Sequence, residues 1–172
     1  MANALKVQFA TKQAEAKLKA LVDAGASKGA FETIGRVIVN RVRMCFKFGI
    51  DPWQSPWAKL KLRKGQPLVD TGRLRSSITS KADATGVTIG TNAKQARVHQ
   101  YGAEIKPVKA KRLVFPGPGG KLIFAKRVFI PARPFLPLQP GSAPATLPVA
   151  WSLDVVRALR RYFLREANKE AA

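Results

Sequence analysis

Phe31-Glu32-Thr33-Ile34-Gly35-Arg36-Val37-Ile38-Val39-Asn40-Arg41-Val42-Arg43-Met44-Cys45-Phe46 is the stretch that decides the helical half of the fold. Phe31, Ile34, Ile38, Val42, Cys45 and Phe46 recur at helical spacing and line up as a single apolar stripe. Ser27 supplies an N-cap, and Gly49 followed by Pro52 ends the helix. Arg36, Asn40, Arg43 and Lys47 fall on the opposite face and make a mainly cationic row. A solvated face and a contact surface for DNA or an acidic neighbour both account for that row.

Upstream, Ala14, Leu18 and Leu21 predict a short amphipathic helix over Thr11–Val22, stopped by Gly25. Downstream the period changes. Val87, Ile89 and Thr91 alternate with Thr88 and Gly90, which predicts a half-buried strand, with Ser77–Lys81 as its hairpin partner across Ala82–Gly86. A second hairpin is predicted from Arg112–Pro116, the turn Gly117-Pro118-Gly119-Gly120, and Lys121–Ile130. It carries Lys109, Lys111, Arg112, Lys121, Lys126 and Arg127, so part of it is expected to project from the body.

Prolines at 131, 134, 137, 140, 144 and 148 exclude regular helix and central strand, and predict an ordered Pro-Ala-Arg-Pro-Phe-Leu segment followed by an extended linker. A final helix is predicted over Ser152–Ala167, with Val155, Val156, Leu159 and Phe163 on one face and Arg157, Arg161 and Arg165 on another. The fold class is α+β: helices packed on a small antiparallel β-sheet, with a projecting β-hairpin and a C-terminal arm or helix. Residues 1–136 form the α+β domain in this reading, and residues 137–172 the Pro-rich linker and terminal helix.

The 172 residues include 46% hydrophobic side chains, a composition that supports a folded core. Lys and Arg number 31 against 10 Asp and Glu, a formal charge of +21. Such a surface attracts nucleic acid or acidic protein. Cys45 is the single cysteine, so no intramolecular disulfide forms and a buried, reduced thiol is expected. The start Met1-Ala2-Asn3-Ala4-Leu5-Lys6 has no apolar segment of the signal-peptide kind, and no apolar run approaches the ~20 residues that span a bilayer. A soluble protein made in the cytoplasm is expected.

Groups for catalysis are scarce. His99 is the only histidine, which excludes a two-histidine metal site, and Cys45 alone cannot build a zinc cluster. Gly117-Pro118-Gly119-Gly120 lacks the Lys-Ser/Thr of a phosphate-binding loop. Ser76 or Ser77 with His99 and Asp70 lacks a nucleophile-elbow pattern, and Asp51, Asp70 and Asp83 each have simpler turn roles than a metal-binding carboxylate centre. No catalytic residue, metal ligand or cofactor is assigned. Asp70, Thr71 and Gly72 are assigned to a turn that delivers Leu74 and Ile78 to the core, and Gly102 to the end of its segment.

Five pieces then occur in order: Asp51-Pro52-Trp53 with Trp57; Leu68-Val69-Asp70-Thr71-Gly72-Arg73-Leu74-Arg75-Ser76-Ser77-Ile78; Val87-Thr88-Ile89-Gly90-Thr91; Val98-His99-Gln100-Tyr101-Gly102; and Ile130-Pro131-Ala132-Arg133-Pro134-Phe135-Leu136. This series resembles the virion morphogenesis family of Mu-like phages, and parts of it resemble tail-completion and neck proteins of other tailed phages. Where the family commonly has Tyr-Ala before the His-Gln pair, this chain has Ala96-Arg97-Val98.

The resemblance implies a structural, non-enzymatic virion protein that completes the tail or joins tail to head, made in the host cytoplasm and placed at the head–tail junction or tail end. It also implies a homo-oligomer forming a hexameric ring, with phage connector, tail-terminator or tail-tube proteins as neighbours, non-specific contact with passing genomic DNA, and no membrane. The alternative is a basic accessory protein that binds nucleic acid.

Trp53, Arg133, Phe135 and Leu136 are the interface candidates, because aromatic residues and Arg beside rigid prolines often anchor interfaces. For Trp53 and Trp57 core packing is the competing reading, and Trp57, just after the core helix, is expected mainly to support folding. Arg36, Arg43, Lys47, Lys111, Arg112, Lys126, Arg127, Arg157, Arg161 and Arg165 are the candidate basic contact surface.

Overall fold

The apolar stripe builds helix α1, Lys28–Phe48, whose Phe31, Ile34, Ile38, Val42, Cys45 and Phe46 are all buried. In the computed structural model residues 5–8, 28–62, 64–138 and 145–170 are described. The helix expected over Thr11–Val22 and the cap assigned to Ser27 lie outside the described residues. Gly49, with φ +68°, turns the chain out of α1 and donates its N–H to Cys45 O at 2.8 Å, a left-handed stop only glycine adopts cheaply. Two last-turn carbonyls, Phe46 O and Lys47 O, accept from Gln66 Nε2 at 2.6 and 2.8 Å, so the helix end is closed by a side chain from the following loop.

Beneath α1 lies a four-stranded sheet made of β1 (Leu5–Gln8), β2 (Thr79–Ala82), β3 (Val87–Gly90) and β8 (Ala145–Thr146), in the order β2-β3-β1-β8. The first predicted hairpin is present: Ser80 pairs with Ile89 and Ala82 with Val87, and Asp83 Oδ1 accepts from the N–H groups of Thr85 and Gly86 in the connecting turn. Ile89 points inward and is fully buried. At Gly35 the helix comes so close to the sheet that a Cβ there would lie 2.7 Å from Ser80 Oγ. β1 pairs antiparallel with β3, and β8 runs parallel to β1. The strand at Leu5–Gln8 went unread because four residues give too little alternation and its partners are remote in sequence.

The second hairpin needs a correction. β5 (Leu113–Pro116) and β6 (Leu122–Ala125) pair around a 3₁₀ turn at Pro118–Gly120, but the strand read as Lys121–Ile130 breaks at Lys126-Arg127. Beyond the break, β7 (Val128–Ile130) pairs with β4 (Ala103–Ile105) in a separate two-stranded sheet. The sequence is apolar on both sides of Lys126-Arg127, and an apolar run does not report which strand it pairs with.

Two shorter helices complete the body, α2 (Arg73–Ser76) and α3 (Ala96–Tyr101). Gly72, at φ +76°, starts α2 and sends Leu74 and Ile78 into the core, as the turn reading expected. The terminal helix α4, Val149–Glu170, is longer than predicted at both ends. Asp154 meets Arg41 and Tyr162 lies over Gly29, so α4 runs antiparallel along α1. Leu147, Trp151, Val155 and Leu159 join one apolar cluster with α1 and Phe135, so the core continues across the line drawn after residue 136. The class is α+β.

One side chain makes four of the hydrogen bonds that hold the Pro-rich segment. Gln100 on α3 is buried, and its Oε1 accepts from the N–H groups of Phe135 and Leu136, both at 3.0 Å. Its Nε2 donates to Leu136 O at 3.0 Å and Leu138 O at 3.2 Å. Phe135, thus placed, is fully buried against Phe46, with ring centroids 5.3 Å apart, and Trp57 meets Phe46 edge-on at 5.5 Å. Burial of each such ring stabilises by about 1.5–3 kcal/mol.

Gln100→Leu keeps the side chain's approximate volume but leaves two buried N–H and two C=O groups without these partners. The expected loss is roughly 3 kcal/mol or more of folding stability, read by urea denaturation; a change under ~1 kcal/mol would show that the amide is dispensable.

Candidate functional site

The interface candidates separate once the fold is known. Phe135 and Leu136, expected at an interface, belong to the core, with 0% and 7% exposure. Arg133 is also buried, at 6% exposure: its Nε donates to Ala58 O at 2.9 Å and its Nη2 to Lys59 O at 3.4 Å, while its backbone N–H donates to His99 O at 2.7 Å. The guanidinium therefore ties the Pro-rich segment to the loop after α1 instead of facing a neighbour. This corrects the interface assignment of all three, and the physical reason is that the Pro-rich segment is packed inside the subunit. Trp57 is core as expected, with Nε1 donating to Pro134 O at 2.8 Å. Trp53 alone of the four candidates stays half-exposed; its N–H and that of Ser55 donate to Asp51 Oδ1, both at 2.8 Å, in a turn that fixes the loop.

The turn residues behave locally. Asp70 and Thr71 are exposed beside Gly72. Gly102, at φ +73°, allows no side chain, because a Cβ would lie 2.9 Å from both Ala132 N and Ile130 O. That close approach delivers the chain from α3 into β4 alongside β7.

Every candidate cation is exposed, and the fold gathers them into two regions. Arg36, Arg43 and Lys47 lie on α1 and Arg157, Arg161 and Arg165 on α4, which packs antiparallel to it. A shallow groove between the helices is lined by Val37, Asn40, Arg41, Met44, Asp154, Arg157 and Arg161, so of the candidate cations it takes in Arg157 and Arg161. Arg41, which sequence reading did not single out, pairs with Asp154, and Arg157 lies 3.6 Å from the same carboxylate. No local signal could have found Arg41–Asp154, since the partners are 113 positions apart. Asp154 is the one carboxylate among the three arginines lining the groove, which leaves it positive, while Arg165 pairs with Glu166.

The second region is the β5–β6 hairpin with its neighbours. Lys111, Arg112 and Lys126 are exposed there, and Arg127 is 3.5 Å from Glu104 and lies over the Phe129 ring. Sequence reading missed that its large apolar residues also face outward: Val114, Leu122, Phe124 and Phe129 are 54%, 60%, 58% and 69% exposed. Their alternation was visible, but the outward face was not.

No cluster of three or more His, Cys, Asp or Glu that could hold a metal ion exists among the described residues. Burial, and to a lesser degree the charge of Asp51, pushes the Cys45 thiol up to about 12, so it stays protonated and unreactive. His99 is held below its ordinary value, first by burial and then by the Arg133 charge, and its Nδ1 has no hydrogen-bond partner among the described residues. Ser76 and Ser77 hydrogen-bond to Arg73 O and Leu74 O in the α2 turn, so each has a local structural role.

The protein is a small α+β body whose motif residues fix its own shape and whose cations and several large apolar side chains face outward. The sequence profile of the phage virion morphogenesis family matches residues 9–146, and the chain belongs to that family. The match reaches beyond the motif span of Asp51–Leu136 on both sides. The chain is similar to the Mu-like prophage FluMu G protein 2 of Haemophilus influenzae (strain ATCC 51907 / DSM 11121 / KW20 / Rd), with 34% identity over 131 residues covering 76% of this chain and 74% of that protein. No solved structure matches the chain. Its role is therefore structural, in the morphogenesis of phage virions. No described helix is long and apolar enough to cross a membrane.

His99 gives this region a pH dependence of definite sign. Its folded-state pKa lies below 6.5, so the unfolded chain takes up the proton first as pH falls. Stability should decline as pH drops from 7 through 6.5 toward the folded value. In thermal melts His99→Gln should flatten that part of the profile; an unchanged slope would show that His99 is not its source.

Proposed function

We propose that this protein completes the tail or joins the tail to the head as one subunit of a closed neck or connector ring at the head–tail junction. The observation that carries the reading is the division of chemistry in the subunit. Gln100, Arg133 and Trp57 hold the motif segments together inside, which leaves a rigid body with two separate contact regions outside. Ring subunits need two different faces, because a heterologous contact closes a ring only when each copy offers one face to the copy before it and another to the copy after. Family membership supports a virion location, and the resemblance to tail-completion and neck proteins supports the junction.

Several copies in one ring would concentrate like charge, since each adds a formal +21. Such a ring closes only where acidic protein or DNA compensates. Isolated subunits are accordingly monomeric in this reading, and gain neighbours in the assembling particle.

One observation favours a second reading, a basic accessory protein that binds nucleic acid. Arg41 of α1 and Arg157 and Arg161 of α4, far apart in the sequence, line one groove with a single carboxylate, Asp154. Binding that is tight and sequence-selective for a duplex would support this role; weak binding that collapses steeply with salt fits an incidental basic surface.

Deletion of the gene should leave filled heads and separate or aberrant tails in electron micrographs. Normal particles with a block in replication or lysis would overturn the assignment. Charge reversal with Arg36→Glu and Arg43→Glu should reduce joining of heads to tails; particles that assemble normally but lose or retain DNA abnormally would place this face against the genome.

A further inference from the structure

In the β5–β6 ladder Val114 stands opposite Phe124 and Pro116 opposite Leu122. Period-two alternation puts these four side chains on one face of the hairpin, and all four are exposed. The opposite face, Leu113, Phe115, Ile123 and Ala125, is half-buried. Phe129 and Val108 extend the exposed apolar surface in the flanking segments, at 69% and 95% exposure. A contiguous apolar face of this kind on an otherwise charged subunit marks a contact site, and a two-stranded ribbon gains stability when that face is covered.

Charge determines what covers it. Residues 103–130 hold seven Lys and Arg and one carboxylate, Glu104, which is already shared by Lys106 and Arg127. Among the described residues Lys109, Lys111, Arg112, Lys121 and Lys126 have no ion-pair partner, are exposed, and flank the two strands in sequence. A second copy of this chain is a poor partner for them, because it carries the same formal +21 and would add like charge. A nucleic-acid duplex would answer the cations but leave Val114, Leu122 and Phe124 uncovered.

We propose that the β5–β6 hairpin is the docking element for a different protein of the same particle, one that offers an apolar recess bordered by Asp and Glu. Apolar contact supplies the affinity, and the lysine and arginine rim sets orientation and rate. This rests on the assembly role proposed above for the place where the partner is met.

The test uses the full chain in phage-producing cells, with the photo-crosslinking residue p-benzoylphenylalanine in place of Phe124, and in place of Val149 as an exposed control remote in sequence. Irradiation should join position 124, and not 149, to one other virion protein at a segment containing carboxylates. Joining to a second copy of this chain, to nucleic acid, or to nothing would overturn the proposal. Phe124→Ser with Leu122→Ser should lower the yield of infectious particles by at least about tenfold while leaving the melting temperature of the purified subunit unchanged. Lys111→Glu with Lys126→Glu should do the same, and Lys in place of the crosslinked carboxylates should restore the yield; failure to restore removes the charge rim from the proposal. If the gene deletion leaves heads and tails joined while the crosslink persists, the junction role falls and the docking surface stands. If the deletion separates them while position 124 joins nothing, the reverse holds.

Discussion

The side-chain amide of Gln100 satisfies backbone groups that no sheet ladder reaches. Pro131, Pro134 and Pro137 contribute no N–H, so the segment around them cannot enter a sheet ladder, and the N–H and C=O groups it retains are buried beside Phe135. Gln100 accepts from two of those N–H groups and donates to two of the carbonyls, while Trp57 donates to the carbonyl of Pro134 from a position 77 residues away. Arg133 extends the same arrangement to the loop carbonyls of Ala58 and Lys59. With the segment fixed, Phe135 completes the ring cluster with Phe46 and Trp57, and α1, α3 and the post-helix loop become one body.

That arrangement sets what remains for the outside. Residues that composition and motif would place at an interface are used to hold the subunit's own shape, and outward contact is left to features with little internal role. The cations of α1 and α4 meet three carboxylates, Glu32, Asp154 and Glu166, and those beside the hairpin meet Glu104. Exposed pairs of this kind stabilise the subunit by less than about 1 kcal/mol each, so the charge pattern is poorly explained as a folding device. The assembly role proposed for the protein, with attraction to acidic surfaces and an apolar hairpin face to be covered, gives the same residues a use.

Much of the architecture is legible in the sequence. The stripe from Phe31 to Phe46, its stop at Gly49, the β2–β3 hairpin with its Asp83 turn, the delivery of Leu74 and Ile78 by Gly72, and the terminal helix are all local patterns, and the structure contains each. The site was less legible. Arg133, Phe135 and Leu136 have residue types common at interfaces, but type alone does not distinguish the inside of one subunit from the boundary between two. Gln100 stood within a recognised motif without a role, because an amide reveals its role only when the groups it bonds are known.

The sequence by itself determined period, turns and charge, since these depend on a residue and its near neighbours: helical spacing, a glycine at positive φ, a proline without an N–H. Tertiary structure alone decided partners. It set β1 between β3 and β8, broke the hairpin at Lys126-Arg127 so that β7 joins β4, and paired Arg41 with Asp154. It also brought Arg41 to one groove with Arg157 and Arg161 and turned Val114, Leu122 and Phe124 to the surface. The physical reason is that alternation and spacing fix which residues share a face, whereas burial of that face depends on what the rest of the chain brings against it.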